Sequence, residues 1–284
     1  MINRKIVDTK IDIINSTGEK IFLQTFRHEN NKKAIVYFHG IEGHCDWFAQ
    51  TANILAENGC DVFAYDRLGC GLSDGVRGHI ESYKQLILDL KIIIDYVKDN
   101  YTYTNIGYFA SCWGAKLALM AISGLDFKPG FIVLTSPAIF TQIDITFVEK
   151  FKILYFFILN KNLELVKLPI LTSMLTNNEK FFDYLDNDKY RNRFITIRAL
   201  IENLKISYLA IKSAKHVKMP ILICLSQNDK IIDKDKLLNW VSKINSLNKD
   251  VKIFNSNSHC LDFDVDMNYK DYTQYLINWL NKIV

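Results

Sequence analysis

The chain has 284 residues, 49% hydrophobic and 23% charged, which is long enough for a substantial buried core and typical of a globular protein. Its 35 basic and 31 acidic residues leave a net charge of +4 with no long block of one sign, which argues against a nucleic-acid partner. No run approaches the ~18 apolar residues of a membrane span, and the opening MINRKIVDTKIDI lacks the features of a signal peptide, so the expected compartment is the cytoplasm.

Strand-like runs occur at residues 5–13 and 20–26, flanking an NSTG hairpin signal, and then at 34–38, 61–66, 105–110, 131–135, 221–226 and 251–255. From residue 34 onward these runs alternate with helical periodicity, the pattern of a parallel sheet covered on both faces. Leu86, Leu90, Ile93, Ile94 and Val97 share one helical face, as do Tyr272, Tyr275, Leu276, Trp279 and Ile283, so both helices are expected to face the core. The reading is an α/β fold with an eight-stranded, mostly parallel sheet. Residues 1–137 and 218–284 form its core, and residues 138–217 a helical cap inserted between neighbouring strands.

The cap is expected to hold helices at Phe147–Leu159 and Phe194–Ile211 and no strand. Its FKILYFFIL run (151–159) is expected to pack the cap onto the main domain, with a lipid-facing or acyl-binding role as the lesser alternative. Contact with a membrane through the cap is correspondingly the lesser expectation.

The stretch GYFASCWGAKLALMAI (107–122) carries a strand into a helix through a small-residue corner with two adjacent nucleophiles, Ser111 and Cys112. A nucleophile elbow needs small residues two before and two after its apex, because strand and helix approach closely there. Cys112 has Ala110 and Gly114 in those places, whereas Ser111 has Phe109 and Trp113, so Cys112 takes the apex. A thiol there sits at the start of the helix read over 113–123, whose partial positive charge favours the thiolate. The plain alternative is a buried structural cysteine. All six cysteines (45, 60, 70, 112, 224, 260) are scattered singly, so reduced thiols are expected.

Three loops complete the pattern. HGIEGH (39–44) can present the backbone N–H of Ile41, which with that of Trp113 would make an oxyanion hole. SQND (226–229) places Asp229 after the seventh strand, with Asp233 as a rival acid. SNSHCLD (256–262) places His259 after the eighth, where none of the other five histidines falls. Nucleophile, acid and histidine in that chain order are those of an α/β-hydrolase. His44 and Ser111 are candidate substrate-binding residues. No His, Cys or acid cluster has ligand spacing, so neither metal nor cofactor is expected.

HGIEGHCDWF, NGCDVFAYDRLGCGLSDGVRGHIESY, ASCWGA, SQNDKIID and NSHCLD together resemble the α/β-hydrolase superfamily, and within it the monoacylglycerol lipase and lysophospholipase group. The Asp-x-x-Gly-x-Gly-x-Ser run (66–73) resembles the superfamily and GVRGHIESY (75–83) this branch. The resemblance implies Cys112, Asp229 and His259 as the triad, Ile41 and Trp113 as oxyanion donors, and a cap that binds an acyl chain. The departure is Ala-Ser-Cys-Trp-Gly where those lipases have Gly-His-Ser-x-Gly; proteins resembling dienelactone hydrolase and polyhydroxyalkanoate synthase also carry cysteine at that place.

Sulfur at the apex implies a thioester intermediate, nearly isoenergetic with an acyl thioester donor and uphill from an oxygen ester. The expected partner is a small acyl substrate, with linkage to a carrier protein or coenzyme A. The leading expectation is a thioesterase or esterase releasing a fatty-acyl-like group to water. The next is an acyltransferase or cyclising enzyme using an amine, hydroxyl or carbon nucleophile, and the last a non-catalytic binder.

Overall fold

A computed structural model describes residues 7–143 and 147–283. Its first two strands, β1 (Val7–Ile14) and β2 (Lys20–Arg27), form an antiparallel hairpin in which Ile14 faces Lys20; Lys5 and Ile6 of the expected first strand lie outside the described residues. β3 (Lys33–Phe38), α1 (Ala49–Glu57), β4 (Cys60–Tyr65), α2 (Tyr83–Asn100), β5 (Asn105–Ser111), α3 (Gly114–Gly124) and β6 (Ile132–Thr135) follow. The next segment contains α4 (Phe147–Ile158), β7 (Leu165–Lys167), α5 (Thr172–Leu175), α6 (Phe182–Asn187), β8 (Phe194–Thr196) and α7 (Ile197–Lys212). β9 (Ile221–Ser226), α8 (Lys234–Val241), β10 (Lys249–Phe254) and α9 (Asp266–Lys282) end the chain.

Eight strands make one sheet in the order β1-β2-β4-β3-β5-β6-β9-β10. It is parallel from β4 through β10, while β2 runs antiparallel to β4. β4 and β9 are buried along their whole length, as strands sandwiched between helices must be, and therefore read as unbroken apolar runs. One face carries α2, α3 and α8 and the other α1 and α9, each over its own apolar core. Leu86, Leu90, Ile93, Ile94 and Val97 are buried on α2, and Tyr272, Leu276 and Trp279 on α9. Tyr275 is half-buried.

Two expectations for the inserted segment need correction. It contains a two-stranded antiparallel ribbon, β7 with β8, and the helix expected from Phe194 begins at Ile197. Each strand has three residues, too few for a periodicity of two to be seen. Thr196 closes β8 and opens α7, its side chain accepting from the Ala199 N–H at 3.1 Å. Second, the FKILYFFIL run does not pack inward: Phe151 is 64%, Tyr155 60% and Ile158 70% exposed. Helical periodicity indicates an apolar element, but among the described residues of α4 most large side chains of this run remain exposed. Among the described residues no helix is long and apolar enough to cross a membrane.

The GVRGHIESY motif fastens the inserted segment to the sheet edge. The Arg77 guanidinium donates to the Gly71 and Tyr190 carbonyls at 2.9 and 2.7 Å, and the Thr196 N–H donates to Gly78 O at 3.1 Å. A Cβ at Gly78 would stand 2.2 Å from Phe194 O, so the ribbon can approach only because that position is glycine.

Candidate active site

β5 ends at Ser111 and α3 starts at Gly114, so the chain reverses through Cys112 and Trp113. Cys112 has φ of 52°, in the left-handed region that a non-glycine residue occupies at some cost. The surroundings hold it there. The Cys112 N–H donates to Thr135 O at 3.0 Å, and its carbonyl accepts from the N–H groups of Ala115 and Ala138 at 3.2 and 3.0 Å. A Cβ at Gly114 would lie 2.2 Å from Phe38 O, and one at Gly40 would lie 3.3 Å from Cys112 Cβ. Ser111 remains in the strand, its Oγ 2.9 Å from Thr135 Oγ1.

His259 lies in the loop after β10, buried, and its Nδ1–H donates to Asp229 Oδ2 at 2.8 Å. The other Asp229 oxygen accepts from the N–H groups of Ile231 and Ile232 at 2.8 and 3.1 Å. Burial alone would raise the Asp229 pKa, but His259 and these two amides outweigh it and hold the carboxylate below its usual range. Asp233 is occupied elsewhere: it caps α8 by accepting from the Lys236 N–H at 3.1 Å and pairs with Lys236 Nζ at 2.7 Å. Burial opposes a charge on His259, yet its interactions with Asp229 and then Cys112 prevail and raise the imidazole pKa well above its ordinary value. Its Nε2 is buried and without a hydrogen-bond partner among the described residues.

Cys112 and His259 line a narrow cavity of about 40 Å³, and Cys112 with Trp113 also opens onto a chamber of about 650 Å³. Isoleucines, leucines and a proline dominate the walls of the larger space, whose roof is the inserted segment. Ile41 lines both, and neither its backbone N–H nor that of Trp113 has a hydrogen-bond partner among the described residues.

Arg67, which sequence reasoning passed over, binds both oxyanion-side segments together. Its guanidinium donates to the carbonyls of His39 and Gly40 at 2.9 and 3.2 Å and lies 4.4 Å from the Trp113 ring centre. His39 Nε2 accepts the Arg67 N–H at 3.1 Å, and burial next to Arg67 keeps the His39 ring neutral by lowering its pKa well below 6.5. Asp66 explains the rest of its motif: it accepts from the N–H groups of Cys45 and Leu72 at 2.7 and 2.8 Å, and a Cβ at Gly71 (φ 50°) would fall 1.8 Å from its Oδ2. The signal for Arg67 was its place inside that run.

His44 lines the narrow cavity with its Nε2 hydrogen-bonded to Asp188 Oδ2 of the inserted segment at 2.8 Å. Trp47 Nε1 donates to the same oxygen at 2.7 Å. Burial would raise the Asp188 pKa, but these two donors prevail and lower it to about 2. Glu42, on the same wall, accepts from Arg191 Nε at 2.9 Å; burial nevertheless pushes its pKa up to about 7, and Oε1 has no hydrogen-bond partner among the described residues.

Residues 29–266 match the family of serine aminopeptidases, S33. The monoglyceride lipase of Rattus norvegicus is 21% identical over 252 residues, covering 88% of this chain and 82% of that protein. The structure of Paleococcus ferrophilus monoacylglycerol lipase superposes with a TM-score of 0.81 at 17% identity, covering 93% of this chain and 99% of that one. A soluble variant of Saccharomyces cerevisiae monoglyceride lipase, in complex with a substrate analog, superposes with a TM-score of 0.82 at 15% identity over 98% and 95% of the two chains. The chain belongs to the serine aminopeptidase S33 family of α/β-hydrolases.

Proposed function

We propose that this lipase- and esterase-like α/β-hydrolase works through a thioester on Cys112, taking the acyl group from an acyl thioester or activated ester and releasing it to water. The observation that carries the reading is the strained Cys112 on the wall of a 650 Å³ apolar chamber, beside two N–H groups without a partner among the described residues and the His259–Asp229 pair. His259 Nε2 takes the thiol proton; sulfur attacks the carbonyl carbon, and the oxygen gains the N–H groups of Ile41 and Trp113, each worth ~10²–10³ in rate. Collapse expels the leaving thiol or alcohol, which takes the proton back from His259. Water then enters, gives a proton to His259, and attacks the thioester by the reverse sequence. Asp229 orients the imidazole and supports its positive charge throughout.

In this reading residues 138–217 serve as a cap whose inner wall holds the acyl chain, and the donor is linked to a carrier protein or coenzyme A. A working thiol requires a reducing compartment, in keeping with six free cysteines and a cytoplasmic location. Sulfur at the apex also favours a second reading, transfer to an amine, hydroxyl or carbon nucleophile, since thioesters react readily with these.

The test is incubation with a panel of acyl thioesters and esters, followed by intact-protein mass spectrometry. An acyl adduct lost in Cys112→Ala and kept in Ser111→Ala is the expected result; discharge by an amine faster than by water selects transfer. Absence of both adduct and turnover across the panel would leave a ligand-binding protein and overturn the proposal.

A further inference from the structure

Lys116 is the single charged residue of α3, one turn beyond the elbow, and is 7% exposed. Its Nζ donates to Ser207 Oγ at 2.9 Å and Asn203 Oδ1 at 3.3 Å, both on α7 of the inserted segment. Among the described residues no carboxylate pairs with it. Among the described residues the ammonium therefore has only neutral hydrogen-bond partners in a largely apolar chamber, with Cys112 as its electrostatic neighbour, an expensive arrangement for a buried charge.

The surrounding groups are also set to donate. Asn203 Oδ1 receives both Lys116 Nζ and Trp113 Nε1, the latter at 2.7 Å; both are obligatory donors, which fixes the orientation of the amide and leaves Nδ2 as a donor without a partner among the described residues. Ser207 Oγ accepts from Lys116, so its own O–H remains to be given. Lys116, Asn203 and Ser207 all line the chamber, as does the Cys112 thiol.

We propose that Lys116, Asn203 and Ser207 form a subsite for a carboxylate carried on the acyl group, so that the chamber selects short diacid half-thioesters or half-esters over plain alkyl ones. The inference rests on the chamber being the acyl site. Lys116 lies in the first turn of α3 just past the Cys112 elbow, lines the same chamber and interacts electrostatically with Cys112, which places the carboxylate a few carbons from the carbonyl held at Cys112 and not at the tip of a long chain. Burial lowers the Lys116 pKa to about 8, which still leaves the group mainly charged at neutral pH.

The test separates binding from catalysis. Calorimetric titration of Cys112→Ala protein with monomethyl succinate, glutarate and adipate is compared with methyl hexanoate at neutral pH. At least one half-ester should bind about 10- to 100-fold more tightly than the alkyl ester, the worth of one charge-assisted hydrogen bond. Adding Lys116→Met, or Asn203→Asp, which supplies an internal counter-ion, should erase that preference. Equal binding of charged and neutral esters, or a preference that survives Lys116→Met, overturns the subsite and leaves Lys116 as a tie between α3 and α7. If the preference is present but wild-type protein never acylates, the Cys112 reading fails and the subsite stands; acylation of Cys112 without any carboxylate preference is the converse.

Discussion

Replacing Lys116 by methionine keeps a straight apolar side chain and removes the charge, and its effect on stability should depend on pH in a defined way. In the unfolded chain the amine titrates near 10.5, whereas burial lowers the folded value to about 8. The gap is about 2.5 pH units of proton affinity at ~1.4 kcal/mol each, so the folded state bears a charge penalty of about 3.5 kcal/mol when both states are protonated. Below pH 8 the wild type carries this penalty in full. Between pH 8 and 10.5 the unfolded chain binds more protons than the folded one, so wild-type stability gains on the variant as pH rises. Loss of the bonds to Asn203 and Ser207 adds an offset of ~1 kcal/mol each that does not vary with pH. Urea unfolding of both proteins at pH 7, 8, 9 and 10 gives the difference curve, in which all shared titrations cancel. The variant should lose ground to the wild type by about 2.5 kcal/mol between about pH 7 and 10, the last part of the change lying above pH 10. A flat curve would refute the reasoning, because the amine would then be as well solvated in the fold as in water.

Asp229→Asn should reduce acyl turnover by roughly 10³–10⁴ while leaving the fold intact, because the amide cannot hold His259 in the required tautomer; a loss below about tenfold in kcat would remove Asp229 from the proposed machinery. Arg67→Met should lower kcat by roughly 10² with little change in KM, since the freed His39–Gly40 turn no longer aims the Ile41 N–H. Equal changes in kcat and KM on retention of the native circular dichroism would show that Arg67 has no positioning role. Gly114→Ala should cost about 3 kcal/mol or more in urea unfolding, because its Cβ would meet Phe38 O at 2.2 Å; a native-like midpoint would mean that β3 and α3 can move apart.

The central strands were legible because they are sandwiched between helices: in β4 and β9 both faces are buried, and a run such as ILICLS then announces itself without any alternation. The elbow was legible for a local reason as well. Gly114 packs on Phe38 O and Gly40 on Cys112, contacts so close that the residue sizes two positions from the apex carry the information. The inserted segment was less readable. Periodicity in FKILYFFIL reports that one face of α4 is apolar, but it carries nothing about whether a partner covers that face, and the exposure of Phe151, Tyr155 and Ile158 followed only from the packed structure.

Sequence alone determined the sheet, its crossovers and the corner occupied by Cys112, since these depend on burial and sterics between residues close in the chain or on repeated patterns within it. Tertiary structure decided the choice of Asp229 over Asp233 for His259, the clamp of Arg67 on His39, Gly40 and Trp113, and the meeting of Lys116 with Asn203 and Ser207. These are directional contacts between side chains separated by up to about ninety positions, set by how helices and loops dock, and no local pattern encodes them.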